Sequence, residues 1–367
     1  MTRSLRDYNF FLLGCVIVLT GFSLAMVYSA TLNDPATHGY FSRHLVNLIV
    51  GSVAMLLLTA LDYHALQAWA APFYLFTVAL LAVVLVLGKI LSGAQSWLNL
   101  GLRTFQPSEP AKLLVIVALA AYWARFEGRG GAWKVQTGGL LLAGIPIALV
   151  FIQPDFGTAL VFVTAWFMIA WSAGLRLWQL VLLLAAAIPA AIYGWTHVLQ
   201  PYQRDRLLIF IDPLYYDPKL EHGAWNIIQA LTAIGSGGLT GHGWTHGLLT
   251  QNNYVPVQYS DFIFASASEE LGFIGAAVLL LFETVLVWQA LSVASAARDT
   301  FGRLMAVGIA ALFMCHLLIN VGMNMSIMPI TGIPLPFVSY GGSFTLTTLA
   351  AIGLLQSIAL RRRRIVF

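Results

Sequence analysis

Apolar stretches long enough to cross a membrane alternate with polar breaks along nearly the whole chain. A helix that spans a bilayer needs about 20 predominantly apolar residues, so each stretch predicts one membrane helix. Only Gln153, Pro154 and Asp155 separate the predicted fifth helix from the sixth. About ten membrane helices are predicted, at residues 9–30, 44–61, 69–90, 108–124, 137–152, 157–173, 177–198, 262–291, 303–325 and 343–360.

Composition supports this interpretation. Of the 367 residues, 59% are hydrophobic and 9% are charged, which is far from the composition of soluble domains. We therefore predict an all-α polytopic membrane protein that forms one integral membrane domain over residues 1–367. Cys15 and Cys315 both lie in apolar stretches, so their positions indicate neither a disulfide nor a metal site.

The distribution of basic residues predicts the orientation in the membrane. Cytoplasmic loops carry an excess of lysine and arginine, so the basic tail at 361–367 and the amino terminus are both predicted to be cytoplasmic. This topology accounts for most of the net charge of +4, which does not indicate nucleic-acid binding. The basic residues assigned to the inner side are Arg3, Arg6, Arg125, Arg129, Lys134, Arg176, Arg298, Arg303 and Arg361 to Arg364.

The same topology places unusual polar segments on the outer side. Residues 199–261, between the predicted seventh and eighth helices, form a long extracytoplasmic loop with a glycine-rich run at 235–244 that cannot be one continuous helix. Segments distant in the sequence reach the same membrane face, which predicts one extracytoplasmic site between helix ends. These segments are 92–112, 153–158, 203–206, 258–262 and 334–343.

Two of these segments carry ionisable residues at helix starts. Glu109 and Lys112 are three residues apart on one helical face, so they form either a helix-start ion pair or part of the lining of a hydrated cavity. Asp155 precedes the sixth predicted helix, where it caps that helix, and capping does not exclude a role in the cavity. Arg204 and Arg206 have guanidinium groups suited to phosphate, although surface arginines often contact only water or lipid headgroups.

The segment QYSDFIFASASEELGF contains three carboxylates with different expected roles. Asp261 lies where the loop meets the predicted eighth helix and is the candidate general base, with helix capping as the alternative. Glu269 and Glu270 are two to three turns further along the helix, roughly 12 Å away, and point in directions about 100° apart. We predict that they make structural polar contacts.

Further polar residues lie near the carboxyl end of the chain. His316, Asn320 and Asn324 recur every four residues on the ninth predicted helix, which favours interhelical hydrogen bonds over a ligand site. Ser339 and Tyr340 belong to a proline- and glycine-rich segment that cannot form a regular helix and is predicted to line the cavity.

The outer segments are similar to the signatures of a known family. SGAQSWLNLGLRTFQPSEPAKL, QPDFGTAL, GHGWTHGLLTQNNYVPVQYSDFIFASASEELG and MPITGIPLPFVSYGGS occur in this order. They resemble the shape, elongation, division and sporulation (SEDS) family over essentially the whole chain, and the RodA branch more than the FtsW branch. The resemblance implies a ten-helix peptidoglycan glycosyltransferase that polymerises lipid II on the outer face of the cytoplasmic membrane, in cell elongation and rod-shape maintenance.

The resemblance also implies roles for individual residues. The family's essential aspartate before the eighth helix matches Asp261, the QPSE-x-x-K motif supplies Glu109 and Lys112, and the QPD motif supplies Asp155. It implies a single-pass class B penicillin-binding protein, the transpeptidase, as partner, besides lipid II, the nascent lipid-linked glycan and membrane lipids.

The chain departs from the family pattern just before Asp261. Relatives often carry an acidic residue and a His-Thr pair there, whereas this chain has Val257, Tyr259 and Ser260. An auxiliary proton or cation role of those family positions therefore does not carry over to this chain.

The expected reaction joins an acceptor hydroxyl to the anomeric carbon of a donor that leaves as undecaprenyl pyrophosphate. Asp261 removes the hydroxyl proton and the donor carbon inverts, giving a β-1,4 bond. Lys112, Arg204 or Arg206 is expected to balance the diphosphate charge. The residue spacing indicates no metal cage made by the protein.

A divalent cation, magnesium or manganese, is an open expectation near Asp261, Asp155 and Glu109, where substrate phosphates would chiefly hold it. Glu109 and Asp155 would orient the base, the cation or Lys112.

Two alternatives stay open at this point. A flippase for lipid-linked precursors also uses many helices and buried charges, although the charged motifs cluster on one face and no inverted repeat is visible. A noncatalytic scaffold for the transpeptidase is the other alternative. Formation of polymer from supplied lipid II separates the enzyme from both.

Overall fold

The computed structural model describes residues 8–91, 94–99, 104–199, 201–220 and 223–361. Arg3, Arg6 and the basic tail beyond Arg361 lie outside the described residues, as does part of the 92–112 segment. The described chain is predominantly helical. Its α-helices are α1 (Phe10–Ala30), α2 (Tyr40–Ala60), α3 (Tyr63–Ala68), α4 (Ala70–Leu87), α5 (Ser108–Ala124), α6 (Trp133–Ile152), α7 (Phe156–Ser172), α8 (Leu177–Tyr193), α9 (Pro201–Ile211), α10 (Pro213–Tyr216), α11 (Ala224–Ser236), α12 (Leu248–Gln251), α13 (Ile263–Ala296), α14 (Thr300–Asn324) and α15 (Gly342–Ala359).

The predicted membrane helices correspond to helices of the structure. Within the described residues, eight helical segments of 18 or more residues are apolar enough to cross a membrane. They contain α1, α2, α4, α6, α8, α13, α14 and α15. The predicted fourth and sixth helices correspond to α5 and α7, each of 17 residues. The protein is a polytopic membrane protein, whereas ten crossings and the orientation stay predictions.

A small antiparallel sheet between α4 and α5 is absent from the sequence prediction. Strands β1 (Lys89–Leu91), β2 (Ala94–Asn99) and β3 (Thr104–Phe105) lie in the order β1-β2-β3. Lys89 pairs with Trp97 and Leu98 pairs with Phe105. Helix α4, which corresponds to the predicted third helix, therefore ends at Leu87 and not at residue 90, because the backbone turns into the sheet at Gly88.

Hydrogen bonds at the two ends of α1 define the two ends of the bundle. Asn9 exchanges hydrogen bonds with Gln356 of α15, and its amide donates to Gln289 near the end of α13. At the other end, Ser29 donates to Glu270 near the start of α13. Both ends of the described chain therefore lie at one end of the bundle, and the loop before α13 lies at the opposite end.

The centre of the bundle is formed by α14 and α15, which are buried along most of their length, whereas α8 is exposed along nearly all of its length. Small residues allow α2 and α15 to approach closely. A Cβ at Gly51 would lie 2.5 Å from the Leu349 side chain, and one at Gly353 would lie 2.5 Å from the Met55 carbonyl oxygen. A larger residue at either glycine would force the two helices apart.

Helix α13 is broken at Gly272, where the sequence predicted one continuous helix over 262–291. Gly272 has φ 67° and ψ −170°, a conformation open almost only to glycine. The glycine-rich loop supplies hydrogen-bond partners around the break: His242 N donates to the Glu269 carbonyl, and Phe273 N donates to the Gly238 carbonyl. A Cβ at Gly241 would lie 2.1 Å from the Glu270 carbonyl oxygen, so this close packing needs glycine in the loop.

Candidate active site

The loop that carries Asp261 is held by its main chain. The carbonyl of Tyr259 accepts from Tyr340 N at 2.9 Å, and the carbonyl of Ser260 accepts from Ser339 Oγ at 2.7 Å. The carbonyl of Asp261 accepts from the side-chain amides of Asn320 at 2.9 Å and Asn324 at 3.0 Å. The three consecutive carbonyls thus fix the position of the loop and leave the Asp261 side chain for other contacts.

The Asp261 carboxylate is partly buried and has a polar environment. Ser260 Oγ donates to Asp261 Oδ1 at 2.9 Å, and Oδ2 lies beside Gly332, where an added Cβ would be 3.4 Å away. Burial raises the pKa of Asp261, while the Ser260 hydrogen bond and the positive charge of Arg206 oppose the rise. A carboxylate with a raised pKa is better suited to take a proton near neutral pH than an ordinary surface aspartate.

Capping does not explain Asp261. Helix α13 begins at Ile263, its N-cap residue is Phe262, and no side chain caps it. The capping alternative is therefore wrong for Asp261. Asp155, in contrast, is the N-cap of α7: its Oδ1 accepts from Thr158 N at 3.0 Å and its Oδ2 accepts from Thr158 Oγ1 at 3.0 Å.

Glu109 and Lys112 form a buried ion pair, the first of the two alternatives offered for them. Lys112 Nζ lies 2.8 Å from Glu109 Oε1 and 3.1 Å from His316 Nε2. His316 Nδ1 in turn lies 3.0 Å from the Pro334 carbonyl oxygen, so the imidazole donates there and accepts from Lys112. Lys112 is 2% exposed. The expectation that Lys112 contacts a diphosphate therefore does not fit this conformation.

Gln106 connects Asp155 to the start of α5. Its side-chain amide donates to Asp155 Oδ2 at 3.3 Å, and its backbone N donates to Ser343 Oγ at 3.0 Å. The carboxylates of Asp155 and Glu109 are close enough to repel each other electrostatically. The structure thus brings α5, α7 and α15 together at the same end of the bundle.

Arg204 and Arg206 lie on α9, a helix within the segment predicted to be a loop. Arg204 donates from Nη2 to the Thr196 carbonyl at 3.2 Å. Arg206 is exposed, and its charge is close enough to Asp261 to lower the pKa of that carboxyl. Of the two arginines, Arg206 is the one that acts electrostatically on Asp261.

Glu269 and Glu270 hold the loop 245–251 against the first half of α13. Glu269 accepts hydrogen bonds from Leu249 N and from the N and Oγ1 of Thr250. Glu270 accepts from Thr245 N, Ser29 Oγ and Gln251 Nε2. Structural contacts are predicted for both residues, and their partners are backbone and neutral polar groups of the segment 245–251 and of α1.

Sequence reasoning missed several polar and aromatic residues of α2. Tyr40, Arg43 and His44 recur at helical spacing at the start of α2, but the predicted helix begins at residue 44 and leaves the first two outside it. Tyr40 contacts Tyr259 and Tyr340, and His44 is 2.7 Å from Ser23 Oγ. Helix α2 therefore borders the loop that carries Asp261.

The residues that the structure describes do not assemble a metal site by themselves. Among the described residues, no group of three or more His, Cys, Asp or Glu side chains is arranged to hold a metal ion. Of the carboxylates expected near a cation, Glu109 pairs with Lys112 and Asp155 caps α7. The expected divalent cation stays a prediction.

The fold and the polar cluster define a class: a polytopic membrane protein with a candidate active site at one end of a helical bundle. Residues 7–364 match the FtsW/RodA/SpoVE model, described as cell cycle protein, so the chain belongs to this family, the SEDS family.

The chain is similar to named members of this family. Peptidoglycan glycosyltransferase MrdB of Escherichia coli K12 is 36% identical over 95% of this chain and 92% of its own length. Peptidoglycan glycosyltransferase RodA of Treponema pallidum is 30% identical over 98% of this chain and 99% of its own. Proteins named FtsW are also similar to the chain.

The chain is also similar to a chain in a solved structure of a peptidoglycan synthase complex, with a TM-score of 0.83 and 31% sequence identity. That structure is described as showing structural coordination of polymerization and crosslinking. The match covers 97% of this chain and 98% of that one. The similarity extends along the whole fold, and the names of these relatives place this chain nearer to RodA.

Proposed function

We propose that this protein is a peptidoglycan glycosyltransferase that polymerises lipid II at the outer face of the cytoplasmic membrane, in cell elongation and rod-shape maintenance. The observation that carries the proposal is the Asp261 loop, with its main chain fixed at three successive carbonyls and with Asp261 partly exposed and within electrostatic reach of Arg206. Relatives named as peptidoglycan glycosyltransferases, similar over nearly their whole length, support it.

The reaction needs one proton acceptor and one electrostatic partner. Asp261 takes the proton of the acceptor 4-hydroxyl as its oxygen attacks the anomeric carbon of the donor. The bond between that carbon and the diphosphate oxygen breaks, and the electron pair leaves with undecaprenyl pyrophosphate. Attack from the opposite face converts the α-linked donor into a β-1,4 bond.

Arg206 is the candidate to balance the leaving diphosphate, since it is exposed and its charge reaches Asp261. Arg204 lies on the same helix and already donates to a backbone carbonyl. Lys112 acts indirectly: its buried ion pair with Glu109 lies within α5, and its contact with His316 holds α5 against α14. Positioning and charge balance are the main tasks when the leaving group is already good.

The partner we propose is a single-pass class B penicillin-binding protein that crosslinks the strands polymerised here. The similarity to a chain of a peptidoglycan synthase complex supports this partner. The substrates are lipid II and the nascent lipid-linked glycan, which reach the site while their polyprenyl chains remain in the bilayer.

Asp261→Asn tests the assignment because it preserves shape and removes the base. With purified complex and lipid II in detergent, we expect glycan polymerisation to fall by about 100-fold or more, which is the range of general base catalysis. The matched control is Asp34→Asn, an aspartate that caps the short helical turn Pro35–Thr37. Wild-type rates from the Asp261→Asn complex would contradict the assignment.

The same assay separates the rival functions. A flippase makes no polymer from lipid II that is already dissolved in detergent, and a scaffold supports its partner even after Asp261, Glu109 and Lys112 are replaced by alanine. Polymer from wild-type complex and none from Asp261→Asn complex supports the enzyme.

A further inference from the structure

Three tyrosines from separate parts of the chain meet next to Asp261. The rings of Tyr40 and Tyr340 stack, with centroids 4.7 Å apart and an interplanar angle of 11°. The Tyr259 ring stands almost perpendicular to both, with centroids 5.1 Å from Tyr40 and 5.8 Å from Tyr340. This tyrosine cluster connects α2 to the loop that carries Asp261.

The tyrosine cluster has the surface properties of a ligand subsite. All three residues are partly exposed, so their rings form part of the protein surface. The guanidinium carbon of the exposed Arg43 lies 5.9 Å from the centroid of the Tyr40 ring. The surface therefore combines aromatic carbon, phenolic hydroxyls and a positive charge, and one of its tyrosines, Tyr259, is two residues before Asp261. That combination suits a sugar that carries an anionic group.

Contacts behind the tyrosine cluster fix its geometry. Tyr340 N donates to the Tyr259 carbonyl, and the His44 ring lies 5.8 Å from the Tyr340 ring. His44 Nε2 is 2.7 Å from Ser23 Oγ, which donates to the Val338 carbonyl. A site supported in this way holds its hydrogen-bonding groups in place before substrate arrives.

The Tyr259 hydroxyl is suited to donate a hydrogen bond. Burial, together with the nearby Tyr40 and Asp261, raises the pKa of Tyr259 to about 12. The hydroxyl therefore keeps its proton at neutral pH and can donate a hydrogen bond. Tyr259 occupies a position where this chain departs from the pattern of the family it resembles.

We propose that the tyrosine cluster and Arg43 form a substrate subsite that binds an amino-sugar ring of a lipid-linked substrate through the phenolic hydroxyls and its diphosphate through Arg43. The subsite orients the sugar relative to the Asp261 carboxylate, so it affects substrate binding more than the chemical step. This inference rests on the proposed function.

Conservative variants test the subsite. Tyr259→Phe and Tyr40→Phe keep the aromatic packing and remove one hydroxyl each, so we expect KM for lipid II to rise about 3- to 10-fold with kcat within twofold, the range for one lost hydrogen bond. Tyr259→His restores a donor and is expected to keep KM within about threefold of wild type. Arg43→Gln is expected to raise KM by about tenfold, as for a hydrogen bond to a charged group.

The matched control is Tyr28→Phe. Tyr28 is exposed and also packs against aromatic rings, with its ring centroid 5.4 Å from that of Phe41 and 5.7 Å from that of Trp244. Its variant is expected to leave KM and kcat unchanged.

Outcomes that contradict the subsite are distinguishable from failure of the proposed function. An active wild-type complex whose Tyr259→Phe and Tyr40→Phe variants keep the wild-type KM, or lose only kcat, overturns the subsite. If wild-type complex forms no polymer, the proposed function fails, and lipid II binding to Asp261→Asn protein becomes the test. If the double variant Asp261→Asn with Tyr259→Phe binds lipid II more weakly than Asp261→Asn alone, the result supports the subsite. Equal binding by the two proteins overturns it.

Discussion

Asp261 and Glu109 are acidic residues at the same end of the bundle, yet their surroundings differ. Glu109 is 3% exposed, and its carboxylate accepts a hydrogen bond from the ammonium of Lys112 at 2.8 Å. Asp261 is partly exposed, its main chain is held by Asn320 and Asn324, and its side chain accepts a hydrogen bond from Ser260.

The difference indicates a division of tasks. The buried ion pair balances its own charges, and the contact of Lys112 with His316 joins α5 to α14, so removal of the pair affects folding first. A carboxylate whose backbone is fixed and whose side chain reaches solvent can accept a proton without breaking the fold. Glu109 is thus better suited to support and Asp261 to chemistry.

The largest expected effect comes from breaking the buried pair. Lys112→Met leaves the Glu109 carboxylate without its cation in a buried position, and removal of one partner of such a pair costs about 3–5 kcal/mol. We expect a clearly lower thermal unfolding midpoint in detergent, followed by tryptophan fluorescence.

The double variant Glu109→Gln with Lys112→Met is the control, because it removes both charges. We expect it to regain most of the lost stability. A Lys112→Met protein as stable as wild type would show that the pair does not support the fold.

An intermediate effect is expected from loosening the Asp261 loop. Asn324→Leu removes a donor to the Asp261 carbonyl and the acceptor of Ala265 N at 3.0 Å, leaving a buried N–H unpaired at a cost of about 1–3 kcal/mol. We expect kcat to fall about tenfold with little change in KM. The exposed Asn252, whose amide donates to the Leu248 carbonyl, supplies the control Asn252→Ala. Equal rates for the two variants would argue against positioning by Asn324.

The smallest expected effect concerns pH. Because the ionised Asp261 is the active base and burial raises its pKa, activity should fall as pH decreases through a midpoint above that of an ordinary aspartate. Arg206→Gln removes an opposing positive charge and should move this midpoint to higher pH. The pH profile of kcat measures both, and an unchanged midpoint in Arg206→Gln would exclude its charge as a factor.

The raised pKa of Asp261 also has a consequence for the stability of the fold. A carboxyl whose pKa is raised by folding favours the folded state in its protonated form, and this contribution is lost as pH rises through the folded-state pKa. At a pH above the folded-state pKa of Asp261, the Asp261→Asn variant should therefore unfold at a higher temperature than wild type. At a pH below the unfolded-state pKa of about 3.9, this difference should disappear. A lower midpoint above that pH would mean that the variant has lost structure as well as a base.

Local patterns in the sequence were sufficient for much of the fold and part of the site. The apolar stretches predicted the long helices because length and composition alone decide which segments can span a bilayer. The three-residue spacing of Glu109 and Lys112 and the position of Asp155 before α7 also depend on neighbours in the chain, and the structure contains both the ion pair and the cap. A local prediction failed for the strands β1 to β3, because an all-helical interpretation left no place for them.

The sequence by itself determined a membrane protein with polar segments gathered at one end, and its motifs indicated the family. Only the tertiary structure decided that Asn320 and Asn324 hold the Asp261 carbonyl, that Lys112 contacts His316, and that the tyrosine cluster forms. These contacts join residues that are at least 59 positions apart in the chain. Their partners depend on how helices pack, and no periodicity within one helix specifies that packing.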